Sequence, residues 1–275
     1  MLFNIAWDDC SAHLSLDDMA LKERTERFLG LELTLGTGGA EADITMRRTD
    51  GGWAFESPIG PRSMTREDDA AFLLFELLAM EFGKRTRRPV VHAGAFIVDG
   101  GAVLYLGDRH QGKSSLTFAA WHRGHAVLGD DRIALVIEDG AVRSLPKCIK
   151  LRLDDNVPRA EWRSLVPEHG AFVGTLKGDT RWILSRRLPG IVDSQDAIPV
   201  RAVVVLRRID AGPTHIDEVA ATEALADTLP MATVGENTPL DVLRFLKPHA
   251  PGGRIRRLNV APDEVEVGLA LLAKL

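Results

Sequence analysis

Gly107-Asp108-Arg109-His110-Gln111-Gly112-Lys113-Ser114 fits the pattern G-x-x-x-x-G-K-[ST]. Its setting suits the mechanics of that pattern. The apolar run Ala102-Val103-Leu104-Tyr105-Leu106 precedes it and reads as a buried strand. Residues 113 to about 122 read as a helix, closed by Gly124. Glycines let the chain curl so that successive N–H groups point inward at phosphate oxygens. The helix that follows adds the positive end of its dipole. In this reading Lys113 bridges the β- and γ-phosphates of a nucleotide and Ser114 holds Mg²⁺. The competing reading is a chance match in a glycine-containing turn. The strand before, the helix after and the intact Gly-Lys-Ser triplet favour phosphate binding.

Working outward, residues 126–129 form a short apolar run that ends in Asp130-Asp131, only 17 residues beyond Lys113. Residues 133–137 and 141–142, separated by Glu138-Asp139-Gly140, continue as strands, so an antiparallel meander is expected rather than further crossover helices. Two adjacent carboxylates beside bound phosphates divide their work naturally. One holds Mg²⁺ through oxygen, and the other takes the proton of an acceptor hydroxyl. A solvated turn is the plain alternative for Gly-Asp-Asp. Upstream, His92 interrupts the apolar run 90–98, which a hairpin at Asp99-Gly100-Gly101 pairs with the strand entering the loop. His92 is therefore either a group near the phosphates or a hydrogen-bonded core histidine.

The chain has 275 residues, 45% hydrophobic and 27% charged, which suits one large domain or a domain with an appendage. Lys+Arg 34 against Asp+Glu 39 leaves a net charge of −5, so a dedicated nucleic-acid binder is not expected. Cys10 and Cys148 lie too far apart in sequence to suggest a metal cluster, and free thiols are expected. The acidic start around Asp8-Asp9 is not a signal peptide by its pattern. No apolar run approaches the roughly 18–20 residues of a membrane span. A soluble, cytoplasmic protein without a membrane partner is the expectation.

Residues 1–60 read as strand-leaning: 31–35 alternates, and 42–48 and 53–56 flank Asp50-Gly51-Gly52 as a hairpin. A helix is expected from a Thr65 cap, through Glu67, Asp68 and Asp69, to an end at Gly83 with Lys84-Arg85. Further helices are expected over 217–229, 239–246 and 262–275. Arg186-Arg187 is expected as a surface pair, and Lys147, Lys150 and Arg152 each as part of a solvated basic strand edge. His122 and His125 gather no further ligand for zinc.

The order is His-Ala-Gly on an apolar strand, a hairpin, G-x4-G-K-S-S, a helix with Arg-Gly near its end, then Asp-Asp-Arg-Ile. It resembles the catalytic domain of HPr kinase/phosphorylase and the shorter HPr-kinase-related proteins of peptide-modification clusters, including kinases of lasso-peptide precursors. The close resemblance covers residues 90–137 and continues loosely through 146–151 and 199–206. It implies an α/β fold, a phosphoenolpyruvate-carboxykinase-like mixed sheet with a P-loop over residues 89–275. A small N-terminal α+β region, 1–88, is left for acceptor recognition or oligomer contact. It implies that Gly107, Asp108, Arg109, His110, Gln111, Gly112, Lys113, Ser114 and Ser115 bind ATP and Mg²⁺. It implies that Asp130 is the base aided by His92, and that Asp131 joins Ser114 on the metal. Two departures stand out: Arg109-His110-Gln111 replaces small residues and a glycine, and the Glu-x-Arg-Gly stretch of true HPr kinase is missing. The expected activity is ATP-dependent phosphorylation of a serine in a peptide or protein. The rivals are a kinase for a small molecule such as free serine and a non-catalytic nucleotide-binding maturation factor.

Overall fold

The computed structural model describes residues 1–36, 40–152, 166, 170–228, 239–249, 255–261 and 263–275. They divide into two units, Met1–Thr86 with Pro146–Pro189, and Arg87–Leu145 with Gly190–Leu275.

The first unit begins with strands β1 (Leu2–Trp7) and β2 (Cys10–Leu16), whose alternate residues are buried as a one-faced sheet requires. Helix α1 (Met19–Leu29) follows. The Asp18 carboxylate accepts from the Ala20 amide to start it, and Gly30, at φ +71°, ends it. Strands β3 (Leu33–Leu35), β4 (Ile44–Thr49), β5 (Gly52–Glu56) and β6 (Arg62–Met64) complete a sheet of order β3-β1-β2-β4-β5-β6. Only the β2–β4 pairing is parallel.

Helix α2 (Glu67–Arg85) departs from expectation at both ends. Arg66, not Thr65, is its N-cap and offers no side-chain cap bond, while Gly83 lies inside the helix and Thr86 ends it. A helical glycine costs about 1 kcal/mol. Gly83 is itself buried, beside buried Phe82 and Glu81.

Continuing along the chain, the second unit contributes β7 (Val90–Val91), β8 (Ala93–Val98), β9 (Gly101–Leu106), α3 (Lys113–His122), β10 (Val127–Gly129), β11 (Ile133–Val136) and β12 (Ala141–Ser144). The chain then returns to the first unit with β13 (Ile149–Arg152), β14 (Ala171–Leu176) and β15 (Asp179–Leu184), a separate antiparallel sheet of order β13-β15-β14. The expected division at 88/89 leaves 146–189 with the residues that follow it, whereas here the stretch groups with Met1–Thr86. The cause is packing. Phe172 of β14 meets the rings of Phe28 and Phe75, and Gly174 lies under Phe72, where a Cβ would come within 2.9 Å.

Two expectations about basic residues also change here. Lys147 and Lys150 are buried, not solvated, and their ammonium groups lie 3.5 and 3.0 Å from the Glu76 carboxylate of α2. Arg186 is buried as well and donates to the Lys147 carbonyl at 3.3 Å; only Arg187 is exposed. Arg152 is partly exposed and pairs with Asp179 at 3.2 Å.

The second unit closes with β16 (Ile198–Arg208), β17 (His215–Glu218), α4 (Ala221–Thr228), α5 (Pro239–Leu246), β18 (Ile255–Val260) and α6 (Val265–Leu272). The helix expected over 217–229 is preceded by β17, and its last expected residue, Leu229, lies outside the described residues, as does Pro262. The sheet is mixed. Long β16 runs parallel to β9 on one side and to β18 on the other, while β8–β9, β11–β12 and β17–β18 are antiparallel. Its core is aliphatic, with Leu104, Leu106, Leu128, Leu135, Val203 and Val205 all buried. Among the described residues, no helix is long and apolar enough to cross a membrane.

Gly94 sits opposite Tyr105 in the β8–β9 pairing, and a Cβ there would fall 2.4–2.8 Å from the ring edge and hydroxyl of a fully buried tyrosine. Gly94→Ala is expected to destabilise the protein by about 1–3 kcal/mol, the usual cost of overpacking. Gly51→Ala, in open space, should stay within about 0.5 kcal/mol of wild type. Urea unfolding of both variants checks the pair, and equal midpoints would contradict the packing argument.

Candidate active site

The loop 107–112 leaves the C-terminal end of β9, where β16 runs alongside in parallel, Val205 opposite Leu106. Its curl depends on two left-handed residues, His110 at φ +67° and Gly112 at φ +91°, the latter serving as the N-cap of α3. Alternating backbone handedness of this kind turns amide groups toward a common centre. Gly107 is needed for space as well. A Cβ there would press on Leu206 at 3.2 Å and on Gln111 at 3.3 Å.

Lys113 is only 6% exposed. Its ammonium donates to the carbonyls of Gly107 at 2.6 Å and Asp108 at 2.8 Å. Burial holds its pKa below the ordinary lysine range, against the opposing pull of Asp130, Asp131 and Asp108. Beneath it, the Thr117 hydroxyl bonds the Lys113 carbonyl at 3.1 Å and also meets the Tyr105 hydroxyl. Burial pushes the Tyr105 phenol up, so it stays neutral. Sequence reading passed over this support. The available signal was a lone tyrosine, the only one in the chain, in an aliphatic strand.

Arg109 and His110 are exposed and do not fill the loop's interior. Asp108 turns its carboxylate back on the Arg109 amide at 2.7 Å. Gln111 reaches across to β16, where its side-chain oxygen accepts from the Arg208 amide. A glutamine in place of a small residue thus ties the loop to the neighbouring strand. Ser115 is exposed on the first turn of α3.

The two aspartates part company. Strand β10 does not join the expected meander but pairs with β8, while β11 pairs with β12 and with β7. Asp130-Asp131 lies at the crossing between these partners. Asp130 is 3% exposed, and its carboxylate accepts from the Ser114 hydroxyl at 3.2 Å. Asp131 adopts φ +74°, a left-handed conformation that aspartate tolerates better than most residues. Its carboxylate lies 2.9 Å from His92 Nδ1. The pairing of Val91 with Ile133 brings these two together. Of the expected partnerships, Ser114 therefore meets Asp130 rather than Asp131, and His92 meets Asp131 rather than Asp130. Gly129 makes the approach possible, since a Cβ would fall 2.5 Å from the Ser144 hydroxyl.

The donor set fits a magnesium-bound nucleotide. A hydroxyl and a carboxylate side by side would offer Mg²⁺ two oxygen ligands, and this ion ordinarily keeps water and substrate phosphate for the rest of its shell. Among the described residues, no group of three or more His, Cys, Asp or Glu gathers as a protein-only metal cage.

The sequence matches no family model and no curated protein. Among solved structures, the chain is similar to the HPr(Ser) kinase/phosphatase from Coxiella burnetii, with 15% identity and a TM-score of 0.32, over 67% of this chain and 93% of that one.

Gln111→Ala should release the Arg208 amide, raising its hydrogen-exchange rate about fivefold, the equivalent of one net hydrogen bond of about 1 kcal/mol. Exchange read at that amide, with the core strands unchanged, checks it; an unaltered rate would mean that the tie does not hold the loop.

Proposed function

We propose that the chain is an ATP-dependent phosphotransferase that delivers the γ-phosphate to a serine hydroxyl of a peptide or protein. The observation that carries the reading is the flanking of the Lys113 loop by two separate polar pairs, Ser114–Asp130 and His92–Asp131. The motif resemblance over residues 90–137 points the same way.

In this reading the loop amides and the dipole of α3 receive the β- and γ-phosphates. Lys113 leaves the loop carbonyls for the phosphate oxygens, an exchange of one set of oxygen acceptors for a charged set. Ser114 and Asp130 would hold Mg²⁺, which when bound would neutralise charge on the transferring group. Asp131, oriented by His92, accepts the proton of the acceptor hydroxyl. The hydroxyl oxygen bonds to the γ-phosphorus as the bond to the β–γ bridging oxygen breaks, and ADP leaves. This exchanges the roles that the motif resemblance gives the two aspartates. The reason is the set of contacts: a carboxylate on the Ser114 hydroxyl suits the metal, and a carboxylate on an imidazole suits proton transfer.

The test is incubation of the protein with γ-labelled ATP, Mg²⁺ and serine-containing peptides, with free serine as a separate acceptor. Asp131→Asn keeps a residue that tolerates the left-handed backbone, and it should cut transfer about 10²–10⁴-fold while nucleotide still binds. Asp130→Asn should raise the Mg²⁺ concentration needed, and Lys113→Ala should weaken nucleotide binding and transfer together. Full transfer by both aspartate variants would overturn the assignment, and labelling of free serine alone would move the acceptor class to small molecules.

A further inference from the structure

Arg109 of the loop and Arg208 at the end of β16 are both exposed. Among the described residues, neither side chain makes an ion pair or a hydrogen bond. The bonds recorded at these positions use the Arg109 and Arg208 backbone amides. They belong to one rim. Gln111 bonds the Arg208 amide, and Leu206, two residues earlier on β16, packs at the position a Gly107 Cβ would occupy. Side chains two apart on a strand share a face, so Arg208 stands on the loop's side of β16. Exposed His110 lies beside Arg109, and exposed Arg207 beside Arg208. The nearest carboxylate on the loop, Asp108, is turned onto its own backbone, and Asp210 lies beyond Ile209, whose amide is held by Val260.

Exposed arginines are usually neutral in their effect, but a cationic rim on a chain of net charge −5 is a local reversal of sign. The Arg109 and Arg208 side chains stand exposed beside the loop, while the Lys113 ammonium is buried within it. We propose that Arg109 and Arg208 form an anion-recognition rim that selects peptide acceptors with acidic residues flanking the reacting serine. This rests on the phosphotransfer reading above and adds the chemistry of its substrate. Guanidinium forks suit carboxylates geometrically, and charge complementarity of this kind mainly sets selectivity and association rate.

The test uses the full chain with Mg²⁺ and a non-hydrolysable ATP analogue. Fluorescein-labelled peptides carry one serine flanked by glutamates, by alanines or by lysines, and binding is read by anisotropy at low and high salt. The acidic peptide should bind at least about fivefold tighter than the alanine peptide, with the advantage shrinking as salt rises. Arg208→Glu, whose backbone amide can still hold Gln111, should weaken the acidic peptide more than it weakens a fluorescent ATP analogue. Arg109→Glu should abolish or invert the acidic preference, and Arg208→Lys should retain part of it. The proposal is overturned if the acidic peptide does not bind measurably, or if acidic and alanine peptides bind alike. It is also overturned if Arg208→Glu weakens the ATP analogue as much as the peptide, or if a single-stranded oligonucleotide outcompetes the acidic peptide. Acidic preference without any label transfer would sink the kinase reading and leave the rim standing, whereas transfer indifferent to flanking charge would do the reverse.

Discussion

A buried ammonium group has to be surrounded by oxygen, and the architecture around Lys113 follows from that requirement. A lysine 6% exposed would be costly in an apolar setting. The loop answers by turning the carbonyls of Gly107 and Asp108 onto it. To do so the chain must bend sharply at the end of β9, pass through left-handed backbone at His110 and Gly112, and start a helix at once. The strand behind it must then be rigid. The buried Tyr105–Thr117 contact and the parallel pairing of β9 with β16 supply that rigidity. The same carbonyl cage holds the Lys113 ammonium at the centre of the loop.

The separation of Asp130 from Asp131 is a second consequence of backbone geometry. Neighbouring carboxylates repel one another and would be hard to place in a single site. Here the chain crosses between sheet partners, β10 going to β8 and β11 to β7 and β12. The left-handed turn at Asp131 sends the two side chains to different partners. Strain of this type gathers where geometry serves chemistry, and the glycine before the pair, pressed against Ser144, allows the close approach.

The first unit shows the limits of local reading. Lys147 and Lys150 look like a wet strand edge because the carboxylate they are buried against is remote in sequence. Their partner, Glu76, lies about seventy residues away on α2. Likewise the return of 146–189 to the first unit depends on aromatic contacts of Phe172 with Phe28 and Phe75, which no periodicity within 171–176 reveals. The ends of α2 moved for a related reason, since packing outweighed the stop signal of Gly83.

What the amino-acid sequence determined by itself was local and periodic. The strand–loop–helix around Lys113, the hairpins at Asp50-Gly51-Gly52 and Asp99-Gly100-Gly101, and the length of α5 all follow from short-range pattern and turn chemistry. It also singled out Lys113, Ser114, Asp130, Asp131 and His92, which the fold brings into contact around one loop. Which aspartate meets Ser114 and which meets His92 was a matter of tertiary structure alone. Adjacent residues carry no signal of which way each side chain turns. That direction is set by strand partners far away in sequence and by one left-handed φ angle.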